Sequence, residues 1–286
     1  MRKVIFALGC ILACARLAAG TPIVVFSNLA VTNGMGAASR PDSPGITEIE
    51  AADDFLVNNG VRVTELKFIG LLTGGIGSFD PSTMNLEIYR VFPNDSQNPP
   101  DGRVPTRVNS PSDVAFAERG FNATDITSVT VTQLAASFTA LNSVKNGIHP
   151  LPNVQTNGEG PVTGAEVMFD VLLKAPIVLP ADHYFFVPQI GTNSPDTSFF
   201  WLSASRPIAG AGTTPFAPDL QAWIRNGNID PDWLRIGTDI VGGNPAPTFN
   251  LAFEVDGDLA TPEPGSLLLA GTGLALLGRR LRRKKS

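Results

Sequence analysis

The chain has 286 residues, of which 43% are hydrophobic and 16% are charged, and its formal net charge is −5. Residues 21–261 hold 12 Lys and Arg against 25 Asp and Glu, whereas the last eight residues carry six cations and no acid. An acidic body is a poor match for nucleic acid, because phosphate contacts need clustered Lys and Arg. We therefore expect no nucleic-acid partner.

The N-terminal residues 1–20 have the pattern of a signal peptide. Two cations at residues 2–3 precede an apolar stretch at residues 4–15, and small residues occupy positions 18–20. This order is typical of a secretory signal that signal peptidase removes. We predict an exported chain that begins near Thr21.

Both cysteines of the chain, Cys10 and Cys14, lie inside that predicted signal. The mature chain would therefore contain no disulfide, no cysteine nucleophile and no thiolate metal site. A lipoprotein acylated at Cys14 is an alternative, although Leu12 is bulky for the position it would occupy in such a signal.

The body, residues 21–260, has short apolar runs rich in Val, Ile, Phe and Thr, separated by Gly, Pro, Asn and Asp. Such spacing is typical of antiparallel β proteins. The predicted fold is an all-β, antiparallel, jelly-roll-like β-sandwich, with no convincing helix before residue 264. The predicted strands are residues 23–27, 61–72, 85–92, 126–138, 166–173, 184–190, 198–203 and 248–255.

Two of these strands allow more specific predictions. In residues 61–72 the alternation is only approximate, with Glu65 and Lys67 facing outward, so we expect a register irregularity near Gly70. In residues 85–92 apolar side chains occur on both faces, which predicts a strand that is covered on both sides.

No G-x-S-x-G, H-E-x-x-H, P-loop or dinucleotide motif occurs in the chain. Its two histidines are His149, in a loop-like segment, and His183, at the start of a strand, and we interpret both as structural. We predict no enzymatic activity. The alternative function is a surface polysaccharide hydrolase, because a glycosidase needs only a pair of carboxylates.

Acidic residues near the two ends of the body form a candidate calcium site. Asp53 and Asp54 follow the start of the body, Asp256 and Asp258 lie near its end, and the first and last major strands of a sandwich can be neighbours. Carboxylate oxygens are ligands that Ca²⁺ prefers. The competing interpretation is that the first pair caps a strand edge and the second forms a turn. We predict no other cofactor.

Three tryptophans are candidate glycan-binding residues, because flat rings stack on sugar faces. Trp201, Trp223 and Trp233 lie in a region rich in Gly and Pro, where exposed loops are expected. Core packing is the competing interpretation. An ice-binding surface would need a repeated Thr-x-Thr ladder, of which residues 130–132 supply only a fragment.

The C-terminal segment, residues 261–286, combines a Pro-Glu-Pro motif at Pro262, Glu263 and Pro264 with a short apolar run and a basic tail at residues 279–285. The apolar run covers residues 265–278. As a helix these 14 residues would be about 21 Å long, which is less than the roughly 30 Å of a hydrocarbon core. Cations on the cytoplasmic side would hold such a segment in the membrane. We therefore predict a hydrophobic helix over about residues 265–281, which acts as a transient anchor in the inner membrane. The stop cations are Arg279, Arg280, Arg282, Arg283, Lys284 and Lys285.

These features, in this order and in a chain with an N-terminal signal, resemble the PEP-CTERM sorting signal of Gram-negative bacteria. The resemblance implies recognition by an exosortase, a membrane-embedded transpeptidase-like enzyme that would cut at or near the Pro-Glu-Pro motif. It also implies delivery to the cell surface or to an extracellular polysaccharide matrix, as in a biofilm. It covers about 25 residues and assigns a route rather than an activity.

The body itself resembles, more weakly, exported β-sandwich domains in the style of carbohydrate-binding modules. The similarity lies in the sequences AADDF, FIGLL and NLAFEVDGD, and residues 88–116 resemble a stretch that recurs in PEP-CTERM proteins of undefined role. The resemblance implies a surface domain that binds or packs, with extracellular polysaccharide as the expected partner. It assigns no ligand residues.

Overall fold

The structure is a computed structural model that describes residues 22–97, 102–148, 154–205 and 219–260. These residues contain fifteen strands and three short helical turns. The helical turns are Ile76–Ser78, Pro81–Thr83 and Ile236–Val241. The strands are β1 (Ile23–Ser27), β2 (Val31–Ala38), β3 (Ile49–Val57), β4 (Val61–Leu72), β5 (Asn85–Arg90), β6 (Ala117–Gly120), β7 (Ile126–Ala140), β8 (Ser143–Val144), β9 (Val162–Leu179), β10 (Asp182–Gln189), β11 (Phe199–Ala204), β12 (Trp223–Asn226), β13 (Leu234–Arg235), β14 (Asn250–Leu251) and β15 (Phe253–Leu259).

The strands form two sheets, which confirms the predicted all-β sandwich. The smaller sheet has six strands in the order β13-β12-β3-β10-β5-β6. In the larger, nine-stranded sheet, β9 pairs along one side of β4, while β15 and β11 share the other side. Strand β7 lies beyond β9, β1 lies beyond β15, and β2 and β8 lie beyond β11. Among the described strands, β2 and β8 form the one parallel pair.

The main core lies between the two sheets and is rich in aromatic rings. Phe186 of the smaller sheet meets Phe68 and Trp201 of the larger sheet edge to face, at centroid distances of 5.8 and 5.7 Å. A second cluster, which includes Phe185, Val187 and Trp233, covers the opposite face of the smaller sheet. Burying each such ring stabilises the fold by about 1.5–3 kcal/mol relative to exposure. The smaller sheet is therefore covered on both faces.

Strand β5 confirms the prediction that residues 85–92 are covered on both sides. Leu86 and Ile88 belong to the main core, whereas Tyr89 and Val91 belong to the second cluster. Every one of these four side chains is buried.

The irregularity predicted near Gly70 is wrong in its position. The β4–β9 ladder shifts register between Val63 and Glu65, and it is regular at Gly70. Gly70 has a different role, because a Cβ at this position would overlap the Phe199 ring and lie 2.6 Å from the Phe200 carbonyl oxygen. Glycine there allows β11 to approach β4 closely.

The last strand ends at the point where the predicted sorting segment begins. Strand β15 pairs with β1 on one side and with β4 on the other. After it, the Ala260 N–H donates a hydrogen bond of 2.8 Å to the Gly60 carbonyl oxygen. The predicted signal peptide (residues 1–20), His149 and the segment 261–286 with its predicted helix, basic tail and stop cations lie outside the described residues.

Candidate functional site

The four aspartates proposed as calcium ligands lie on different sheets. Asp53 and Asp54 are on β3 of the smaller sheet, whereas Asp256 and Asp258 are on β15 of the larger sheet. This corrects the expectation that neighbouring strands bring them together: the neighbours of β15 are β1 and β4, whereas β3 pairs with β10 and β12. Across the described ranges, no group of three or more His, Cys, Asp and Glu side chains is arranged to hold a metal ion.

Asp53 and Asp54 are buried, and protein groups bind both. Asp53 Oδ2 accepts a 2.8 Å hydrogen bond from the Leu251 N–H, and Asp54 Oδ1 accepts one of 2.9 Å from the Leu220 N–H. The other oxygen of Asp54 lies 2.5 Å from His183 Nε2. Burial, followed by the neighbouring Asp54 charge, raises the pKa of Asp53 well above its usual range. These carboxyls connect β3 to the chain around residues 220 and 251.

Asp256 has an ammonium group as its partner. Lys67 Nζ lies 2.6 Å from Asp256 Oδ2, 2.9 Å from Glu254 Oε1 and 3.1 Å from a Glu65 oxygen. All four residues face outward on neighbouring strands of the larger sheet, as predicted for Glu65 and Lys67. Lys67 therefore supplies the positive charge at this acidic surface.

The three candidate glycan-binding tryptophans are buried. The exposed fractions of Trp201, Trp223 and Trp233 are 0%, 1% and 0%. Trp201 Nε1 donates to the Ala252 carbonyl oxygen at 2.8 Å, and Trp233 Nε1 donates to that of Ser112 at 3.3 Å. Because no ring has a face open to solvent, the structure corrects the prediction of sugar stacking at these positions in favour of core packing.

Sequence reasoning missed a polar cluster on the covered outer face of the smaller sheet. The Tyr89 hydroxyl lies 2.8 Å from Glu50 Oε1 and 3.1 Å from Glu87 Oε2. Arg225 donates through two nitrogens to both Glu50 oxygens and forms an ion pair of 2.7 Å with Asp230. One signal could have revealed it: Glu87 lies in a strand predicted to be covered on both faces, so its side chain had to be buried.

One carboxyl of this cluster is neutral at pH 7. Glu87 is 8% exposed, and burial, followed by the charge of Glu50, raises its pKa to about 9. A neutral carboxyl can donate a hydrogen bond, which avoids repulsion between two buried carboxylates. Tyr89 and Arg225 occupy the space around the pair, so the cluster is suited to holding strands β3, β5 and β12 together.

We predict that this neutral carboxyl makes the protein less stable as pH rises. Between pH 4.5 and 9 the Glu87 carboxyl is ionised in the unfolded chain but protonated in the folded protein. Its contribution to the free energy of unfolding is therefore complete below pH 4.5 and disappears as pH approaches 9. The wild-type protein should lose about 2–3 kcal/mol of unfolding free energy from this group between pH 6 and pH 8, since each pH unit corresponds to at most about 1.36 kcal/mol. The Glu87→Gln variant, measured by chemical denaturation, should lose correspondingly less.

Asp42→Asn, between β2 and β3, is the control, because that carboxyl is exposed. It should leave the slope of stability against pH unchanged. A Glu87→Gln variant with the wild-type slope would contradict the assignment of a neutral Glu87.

The C-terminal end of the fold lies next to the candidate processing site. Thr261 alone separates Ala260, which is tied to Gly60, from Pro262. Two Cα–Cα steps, the number from Ala260 to Pro262, span at most about 7 Å. In the part of the chain that the structure describes, no helix is long and apolar enough to cross a membrane.

Comparison with known proteins identifies this C-terminal segment and leaves the body without a match. Residues 260–284 match the family model described as the PEP-CTERM protein-sorting motif. No curated protein and no solved structure matches the chain. The similarity of the body to carbohydrate-binding modules therefore stays a prediction. The chain carries a PEP-CTERM sorting motif and is thus an exported protein that is anchored transiently in the membrane and processed by an exosortase.

Proposed function

We propose that the body is a non-enzymatic structural or binding domain of the cell surface or of an extracellular polysaccharide matrix, to which exosortase processing delivers it. The observation that carries the proposal is the position of the motif. The last described strand, β15, is paired on both sides and ends at Leu259, and the match to the sorting motif starts at the next residue, Ala260. Processing at the Pro-Glu-Pro motif would therefore leave both β-sheets intact.

The environment of the buried carboxylate pair supports a non-enzymatic role. Glycosidases place two carboxyls about 5–10 Å apart across an open site where a sugar and a water molecule fit. Glu50 and Glu87 are 3% and 8% exposed, and both contact one hydroxyl group, that of Tyr89. A sugar cannot enter between them without displacing Tyr89 and Arg225.

Glycan binding, as part of this proposal, would use polar side chains of the outer face of the larger sheet rather than the tryptophans. Thr130 and Thr132 are exposed on β7, and Asp170 on β9 and Lys67 on β4 continue the same face. These side chains offer hydroxyl, carboxylate and ammonium groups for hydrogen bonds with sugar hydroxyls.

The test compares the full chain with a variant that ends at Thr261, both expressed in the producing bacterium. The full chain should be found with the cell surface or the polysaccharide fraction, and the shortened chain should be free in the medium. Equal retention of both would contradict delivery through the motif. Purified body should bind polysaccharide from the producer without releasing new reducing ends; turnover of that polysaccharide would favour the hydrolase instead.

A further inference from the structure

Strand β7 forms one edge of the larger sheet and is long for an edge strand. It runs for 15 residues, Ile126–Ala140, and pairs with β9. Within the described residues, no other main-chain group bonds to β7 between Thr127 and Thr139. The side of β7 away from β9 therefore presents a row of N–H and C=O groups that no described strand pairs.

This edge has neither the charges nor the prolines nor the short length by which proteins often protect an edge strand. The sequence ITSVTVTQLAASFTA contains no charged residue, no proline and no glycine. The edge strand β6 of the smaller sheet, in contrast, has four residues and includes Glu118 and Arg119. Charges and short length prevent pairing with another chain, and an edge without them is a template for it.

An apolar groove of about 710 Å³ lies beside the inner face of the same strand. Val129 and Val131 of β7 line it together with Phe79 and Phe121. Phe121 is 42% exposed, and no charged residue lines the groove. A strand added to β7 would place its inward side chains at this groove.

The part of β7 that pairs regularly with β9 is short, and its side chains could pair with those of a second copy of the same segment. Residues 128–133 pair with β9 without interruption, whereas the ladder is irregular on both sides of them. Ser128, Thr130 and Thr132 point outward, and Val129 and Val131 point inward toward the core. An antiparallel copy centred on Thr130 would place Ser128 opposite Thr132 on one face and Val129 opposite Val131 on the other.

We propose that β7 pairs with β7 of a second copy of this chain, antiparallel about a two-fold axis at Thr130, so that the two larger sheets become one continuous sheet. Cross-strand pairs of hydroxyl side chains and of β-branched side chains stabilise antiparallel sheets. The two-fold axis provides the Ser128–Thr132 and Val129–Val131 pairs twice and the Thr130–Thr130 pair once. Self-pairing also suits an acidic body, because two copies meet where neither carries charge. The proposal depends on the geometry of this edge and is independent of any glycan ligand.

The first test measures the oligomeric state of the mature chain by light scattering and sedimentation over a range of concentrations. The wild-type chain should form a dimer, and added salt should strengthen it by screening the repulsion between acidic bodies. Thr130→Lys should raise the dissociation constant by at least about tenfold, because the register places two ammonium groups opposite each other. Thr139→Lys, an exposed substitution beyond the regular segment, should leave it nearly unchanged.

The second test keeps the proposal falsifiable if a lysine variant fails to fold. The chain after residue 20 has no cysteine, so Thr130→Cys introduces a single thiol. Under mild oxidation it should form a disulfide-linked dimer, whereas Thr139→Cys should stay monomeric on a denaturing gel. A wild-type chain that remains monomeric at its highest soluble concentration, or equal crosslinking of the two cysteine variants, would overturn the proposal.

Discussion

Replacing Arg107 with alanine should lower the free energy of unfolding by about 3–5 kcal/mol, because it removes the buried cation that pairs with two buried carboxylates. The Arg107 side chain is 1% exposed and bonds to Asp232 at 2.7 Å and to Asp113 at 2.8 Å. Its guanidinium also lies 4.6 Å from the centre of the Phe92 ring. This side chain fixes residues 107–113 against the segment that carries Trp233. Equilibrium denaturation of the variant would measure the loss.

Arg103→Ala provides the matched control for this prediction. Arg103 also pairs with Asp232, at 3.3 Å, but its side chain is 35% exposed. Exposed ion pairs contribute about 0–1 kcal/mol, so the control should be nearly neutral. If Arg107→Ala destabilised the protein no more than Arg103→Ala, the interpretation of a buried ion-pair network would fail.

Replacing Trp201 with alanine should also cost about 3–5 kcal/mol, the usual loss when a large aromatic side chain is removed from a core. The ring lies between the sheets, with centroids 5.7 Å from both Phe186 and Phe253, and its N–H binds the Ala252 carbonyl oxygen. Trp201→Phe should lose less, because it keeps an aromatic ring in the cavity. Thermal and chemical unfolding would measure both variants.

Phe121→Ala is the control for Trp201, because Phe121 is an aromatic residue that is 42% exposed. It should change stability by much less than Trp201→Ala. A Trp201→Ala variant with wild-type stability and weakened glycan binding would restore the interpretation of Trp201 as a sugar-stacking residue.

Short apolar runs bounded by Gly, Pro, Asn and Asp were sufficient to predict several strands, even where the alternation of their side chains is only approximate. Strand β4 occurs with the predicted bounds, Val61–Leu72, and β1 occurs as Ile23–Ser27. Strand β2 was missed because its sequence, VTNGMGAA, has two glycines and few large apolar residues. Strand β3 was missed as a strand in its own right because Glu50, Asp53 and Asp54 interrupt its apolar pattern.

The failures at the candidate sites have one physical cause: the partners of buried polar groups are distant in the sequence. Glu50 is paired with Arg225, which lies 175 residues further along the chain, and Asp53 with the main chain at Leu251, 198 residues away. Composition cannot indicate such pairs, so the sequence left Asp53 open to two interpretations, a cation ligand and a residue that caps a strand edge. The sorting motif, in contrast, is contiguous in sequence and needs no folded partner, which is why it could be recognised directly.

The position of β15 determines how the fold would respond to mechanical load. If the processed body stays joined to the cell surface through its C-terminal end, any pulling force enters the fold at Ala260 and acts along β15. That strand is bonded laterally to β1 and to β4, with bonds perpendicular to its axis. A force along the strand shears both ladders at once instead of opening one bond after another. A body attached in this way would resist drag through both ladders of β15 together.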